Sequence, residues 1–166
     1  MFNEIFNTDD MIKLQEILIK KKETMTCAES CTGGLVASLI TEISGSSSVF
    51  RGSIVTYCNE IKEQELHVKK ETMIKFGAVS CEVVKQMCQG VLKKFDADYA
   101  IAISGVAGPT GGTKAKPVGT VAIGIIDKKK YQDIQIYHFK GDRKEIQIQA
   151  AKTALNTIFK ILSKNS

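Results

Sequence analysis

The chain has no uninterrupted apolar run long enough to cross a bilayer, so a membrane partner is not expected. The segment Met1 to Asp10 has neither a basic start nor an apolar stretch, and reads as no signal peptide. The five cysteines, Cys27, Cys31, Cys58, Cys81 and Cys88, are odd in number and contain no Cys-x-x-Cys pair. Free thiols in a reducing cytoplasm are the expectation, not a disulfide framework. Histidine is scarce, with only His67 and His138, and neither has zinc-finger spacing relative to the cysteines, so no metal is expected. The lysine runs 20–22 and 128–130 fall at a helix end and in a turn. No basic face with stacking aromatics is evident, so nucleic acid is not an expected partner. A P-loop, a dinucleotide fingerprint, an internal repeat and a low-complexity linker are all lacking.

What remains is an ordinary composition, 43% hydrophobic and 25% charged, over 166 residues with a net charge of +5. One domain covering 1–166 is the default for this length. Helical and strand patterns alternate along it. Thr8-Asp9-Asp10 offers an N-cap for a first helix that ends in Lys20-Lys21-Lys22. A short strand near Thr24 to Cys27 follows, then a helix over Leu35 to Ile43, ended by Gly45. Ser53 to Tyr57 reads as a strand, and Asn59 as the N-cap of a helix to about Leu66. A short helix over 71–76 and a longer one capped by Ser80 come next. Tyr99 to Ile103 is a nearly continuous apolar run, as in a strand buried on both faces. Val118 to Ile126 and Tyr131 to Phe139 form a hairpin, and a last helix follows Gly141-Asp142-Arg143. The pattern predicts an α/β fold: a three-layer αβα sandwich with a mixed, mostly parallel sheet.

The stretch Thr26-Cys27-Ala28-Glu29-Ser30-Cys31-Thr32-Gly33-Gly34 is a small-residue turn from a strand into a helix. Such a turn gathers backbone N–H groups and a positive helix end. It can bind an anion, or present Ser30 as a nucleophile with the amides near Thr32, Gly33 and Gly34 holding an oxyanion. Neither histidine is oriented toward Ser30, so its base must be of another kind, and lysine is the known substitute. Lys62 falls early in the helix expected after Asn59, where a cation opposes the helix dipole and loses proton affinity. A solvated surface lysine is the competing reading. Tyr57, at the end of the preceding strand, reaches the same region. Arg143 can fork onto a phosphate or a carboxylate, or be an ordinary exposed arginine. Ser104-Gly105, followed by Gly108-Pro109, suggests a loop that a ligand approaches closely, or a plain turn. Cys31 is a weaker candidate nucleophile, having no evident base.

Seven blocks occur in one order: Ala28 to Gly34, Gly45-Ser46-Ser47, Thr56-Tyr57-Cys58-Asn59-Glu60-x-Lys62, Gly77-Ala78-Val79-Ser80, Ser104 to Pro109, Lys116 to Val121, and Gly141-Asp142-Arg143. Together they resemble the CinA C-terminal domain family over nearly the whole chain. The resemblance implies an amidohydrolase that converts nicotinamide mononucleotide to nicotinate mononucleotide and ammonia, without a cofactor and as a homodimer. It implies Ser30 as nucleophile, Lys62 as base and Tyr57 as their support, with Ser47, Ser104 and Arg143 lining the pocket. Asn59 and Gly105, beside these, complete the expected substrate-binding set. The family usually carries Ser where this chain has Cys58. It is also associated with competence and DNA-damage responses, so a non-catalytic nucleotide-binding partner is the alternative.

Overall fold

A computed structural model describes residues 1–164 of the chain. Asn165 and Ser166, the end of the expected 1–166 domain, lie outside the described residues. Five strands, β1 (Met25–Glu29), β2 (Phe50–Val55), β3 (Tyr99–Gly105), β4 (Thr120–Asp127) and β5 (Gln132–His138), form one sheet in the order β2-β1-β3-β4-β5. β1 pairs in parallel with β2 and β3, and β4 runs antiparallel to both its neighbours, so four strands point one way and β4 alone opposes them. Six helices cover the two faces: α1 (Thr8–Lys21), α2 (Leu35–Thr41) and α6 (Arg143–Lys164) on one, α3 (Asn59–Leu66), α4 (Lys70–Phe76) and α5 (Cys81–Phe95) on the other. The fold is the expected α/β three-layer sandwich. Among the described residues no helix is long and apolar enough to cross a membrane.

Side-chain size alternates along the two central strands, and this sets the layer spacing. Ile101, Ile103, Ile123 and Ile125 face α1 and α6, whereas Ala100, Ala102, Ala122 and Gly124 face α5. Successive strand residues point to opposite faces, so the alternation gives the sheet one bulky and one shallow side. On the shallow side α5 sits close, and a Cβ on Gly124 would meet Cys88 Sγ and Val84 Cγ1 at 3.3 Å. α3 in turn rests on α5 at Gly90, where a Cβ would overlap the Leu66 carbonyl. These two close approaches bring α3 near the sheet, and α3 carries Lys62.

Three local expectations need correction. The α1 N-cap is Asn7, not Thr8: its side chain accepts from Asp10 N while the Asp10 carboxylate accepts from Asn7 N, a closed capping box. β2 spans Phe50–Val55, earlier than the expected Ser53 to Tyr57, because its register on β1 runs from Met25↔Phe50 to Glu29↔Val55. Gly52 inside it, at φ 143°, weakens the local strand signal. Asn59 is the first residue of α3 and Cys58 is its cap, with no side-chain capping bond.

Gly90→Ala gains about 1 kcal/mol of helix propensity but forces α3 off α5. We expect a net loss of roughly 1–3 kcal/mol, read as a lower urea midpoint. An unchanged or raised midpoint would show that α3 does not depend on this contact.

Candidate active site

The C-terminal ends of β1, β2 and β3 lie side by side, and the chain leaves the sheet there into small-residue loops. Ser30 follows β1 and its N–H donates to the Ile103 carbonyl of β3 (3.1 Å). Thr56 follows β2 and its N–H donates to the Glu29 carbonyl (2.8 Å). Ser104, the last residue but one of β3, lies next to them. Strand parity turns all three side chains toward the α3–α5 face.

Lys62 reaches this point from α3. It is 1% exposed, which excludes a solvated surface lysine. Its Nζ lies 3.1 Å from Ser30 Oγ in hydrogen-bond contact and donates to the Thr56 carbonyl at 2.8 Å. Burial lowers the Lys62 pKa from the usual lysine value. The Cys58 and Cys31 thiols act in the opposite sense but more weakly. The helix-end argument is therefore not the main cause: Lys62 sits one residue further into α3 than expected, its N–H already donates to the Cys58 carbonyl, and desolvation is what shifts it. A neutral amine here has one N–H for Thr56 and a lone pair for the Ser30 hydroxyl. That arrangement is able to activate a serine hydroxyl as a nucleophile.

The turn after Ser30 is held by a group that the motif reading passed over. Glu29 is fully buried, and its carboxylate accepts from Thr32 Oγ1 (2.7 Å), Gly34 N (3.1 Å), Val36 N (3.1 Å) and Ala37 N (2.9 Å). It caps α2 in place of the usual Ser, Thr, Asp or Asn, and satisfies the positive helix end internally. A clue was available: α2 begins at a glycine with no short polar cap, and a carboxylate stands in the strand before it. The Gly33 N–H donates to the Ser30 carbonyl. The expected oxyanion donors Gly33 and Gly34 are thus committed elsewhere. Among the described residues, the Cys31 and Thr32 N–H groups donate to no other residue, so the amides nearest Ser30 are the ones free to act.

Tyr57 is exposed and its hydroxyl accepts from Arg143 Nη2 (2.6 Å), not from Lys62. Arg143, the first residue of α6, also donates from Nη1 to the Gly108 carbonyl (2.7 Å). The guanidinium therefore ties the 106–119 loop and Tyr57 together at the rim. No carboxylate among the described residues lies within ion-pair distance of it. Gln147, one turn further along α6, donates to the Cys31 carbonyl (2.8 Å) and pins the Ser30 turn from the other side; no local signal marked it. Ser104 is buried beside Ser30, its hydroxyl donating to the Ala78 carbonyl (2.8 Å). Gly105 is needed for packing, since a Cβ there would meet Val121 Cγ2 at 2.6 Å. Asn59 is exposed at the start of α3. Ser47 is not part of this group of residues. It lies in the 3-10 turn Ser46–Ser48 before β2, next to the start of β1, because Met25 N donates to the Val49 carbonyl. The length of β1 separates it from Ser30. Thr56 adds one further group: its Oγ1 is buried without a hydrogen-bond partner among the described residues.

Cys31, buried next to Ser30, has its thiol pushed up to about 12, with desolvation the leading cause. The thiolate is the nucleophilic form, so Cys31 does not compete with Ser30 near neutral pH. His67 and His138 are both exposed and take no part.

A buried serine–lysine pair at the strand ends of an αβα sandwich defines a class of protein, and comparison with known proteins identifies it. The chain matches the CinA C-terminal domain over residues 9–162, and it belongs to that family. It is similar to a CinA-like protein of Endomicrobium trichonymphae, 48% identical over 163 residues, which are 97% of this chain and 38% of that protein. It is also 49% identical over 147 residues to a putative competence-damage inducible protein of Caldicellulosiruptor saccharolyticus, covering 89% of this chain and 36% of that one. The chain thus spans less than two fifths of the length of these curated relatives. Among solved structures, a CinA superfamily protein from Klebsiella pneumoniae superposes with a TM-score of 0.89 at 33% identity, covering 94% of this chain and 97% of that one. The competence/damage inducible protein CihA from Agrobacterium tumefaciens gives 0.84 at 36%, covering 95% and 96%.

Glu29→Ala leaves four donors without their acceptor. We expect a loss of about 3 kcal/mol or more, read as a lowered denaturation midpoint. A variant as stable as the parent would remove Glu29 from its capping role.

Proposed function

We propose that the chain, as one domain over 1–166, is an amidohydrolase that deamidates nicotinamide mononucleotide to nicotinate mononucleotide and ammonia through an acyl-enzyme on Ser30. The observation that carries this reading is the contact between the buried Lys62 amine and Ser30 Oγ at 3.1 Å. A pocket used only for binding has no need of a buried amine of lowered proton affinity against a serine hydroxyl.

In this mechanism Lys62 accepts the Ser30 proton as Oγ attacks the carboxamide carbon. The carbonyl electrons move onto oxygen, which the Cys31 and Thr32 N–H groups hold. The tetrahedral adduct collapses, Lys62 returns its proton to the departing nitrogen, and ammonia leaves. Water, deprotonated by the same amine, hydrolyses the ester and regenerates Ser30. Arg143 has no acidic partner and faces the rim, so it serves the phosphate of the substrate. Tyr57 orients that guanidinium; this replaces the expected support of Lys62 by Tyr57. The substrate choice itself is carried by the family resemblance. The same resemblance and the unpaired cysteines support a cytoplasmic homodimer. The names of the relatives speak of competence and damage. A purely binding role of that kind would show ligand binding without ammonia release.

Purified protein with nicotinamide mononucleotide is expected to release ammonia. Ser30→Ala and Lys62→Met should each lower the rate by about 10³-fold or more. Lys62→Met should leave the unfolding free energy unchanged or raise it, because a buried amine is replaced by an apolar chain of similar length. A folded Lys62→Met enzyme of full activity would sink the lysine as base.

The pH profile gives a separate check. Only the neutral amine accepts a proton, and the neutral fraction grows as pH rises. Because burial lowers the Lys62 pKa, kcat/KM should rise with pH around a midpoint below the ordinary lysine value of 10.5. A profile flat from acid to alkaline pH would contradict the neutral-amine mechanism.

A further inference from the structure

On the face of the sheet opposite Lys62, the N-terminal segment, α1, α2 and α6 enclose a cavity of about 300 Å³ that the Ser30 chemistry does not use. Its size is at the lower end of small-molecule sites. Phe6, Met11, Leu39 and Ile148 supply apolar wall, and Lys144, Ile148 and Lys152 follow one another at four-residue spacing along a single face of α6.

Lys152 is the informative residue. It is only 8% exposed, and among the described residues its Nζ makes one hydrogen bond, to the neutral side-chain oxygen of Asn3 at 2.7 Å. Among the described residues no carboxylate lies within ion-pair distance of Lys152 or of Lys144. Glu42, also on the cavity wall, is exposed and pairs with neither. Buried cations are ordinarily paired with an anion, and an ammonium has three donors to satisfy. A cavity with apolar walls and an under-used buried ammonium selects a ligand with an apolar body and one anionic end.

We propose that this cavity is a second ligand site that takes a small amphipathic carboxylate, its acid group on Lys152 with Lys144 at the mouth, and its hydrocarbon against Phe6, Leu39 and Ile148. The site stands independently of the amidohydrolase reading, since none of its residues touches Ser30 or Lys62.

Octanoate is the probe, and 1-octanol is its neutral counterpart of equal length, both titrated into the full chain by calorimetry. Octanoate should bind at millimolar concentration or below, and octanol more weakly. Lys152→Met should weaken octanoate by about tenfold or more while leaving octanol unchanged. Leu39→Trp, which fills the cavity from a half-buried position and retains Lys152, should abolish the binding of both. Circular dichroism melts establish that each variant is folded; if Lys152→Met is not, Lys144→Met and Leu39→Trp carry the test, with weakened and abolished octanoate binding expected. No octanoate binding by the parent chain, equal affinity for octanol, or octanoate binding that survives the substitutions in folded protein would each overturn the proposal.

Discussion

Placing a lysine amine at 1% exposure works against its preference for water, and much of this fold can be understood as what holds Lys62 there. The alanines and Gly124 on one face of β3 and β4 let α5 approach the sheet, and Gly90 lets α3 approach α5. α3 then lies close enough for a lysine side chain to pass inward instead of outward. The Thr56 carbonyl and the Ser30 hydroxyl, at the ends of two neighbouring parallel strands, supply its polar contacts. The amine is short of charged partners and desolvated, which lowers its pKa and favours the neutral form more than in water, and a neutral amine against a serine is the form that chemistry can use. Structural constraint and proposed reactivity come from the same desolvation.

The turn after β1 divides its polar groups between structure and chemistry. Glu29 takes the positive end of α2 for itself, which removes that end as a phosphate site and leaves the turn rigid. Two amides beside Ser30 donate to no other residue among the described residues. Two cations without an acidic partner among the described residues lie elsewhere, Arg143 at the rim and Lys152 in a separate cavity. In the proposed readings, negative ligand groups therefore fall to α6 and not to the helix that follows Ser30, although the small-residue motif on its own pointed to that helix.

The layered α/β architecture and most element positions were legible because periodicity and capping act over a few residues. Ser80 caps α5 as read, and the hairpin of β4 and β5 falls where its pattern put it. Misplacements occurred where a distant partner set the boundary: β2 was read late because its extent follows its register on β1, and Asn59 was taken for a cap because nothing local revealed Cys58 in that position. Within the site, Ser30 and Lys62 were legible as types of group. Ser47, expected with the pocket residues, lies at the opposite end of the strands from Ser30, a separation its place in the chain does not reveal. Glu29 and Gln147 were missed because carboxylates and amides at such positions are commonly solvated, and only packing shows what they touch.

Short-range sequence was sufficient to name a serine at a strand-to-helix turn, to reject the histidines as its base and to point to a lysine, since those conclusions need only residue types and local conformation. Whether that lysine is buried, which amides are left free, and whether Tyr57 serves the amine or the guanidinium were decided by tertiary structure. Each of these depends on groups far apart in the chain, Lys62 and Ser30 being 32 positions apart and Arg143 and Tyr57 86 positions apart. Desolvation and hydrogen-bond competition are set by what packs around a group, and no local pattern encodes that.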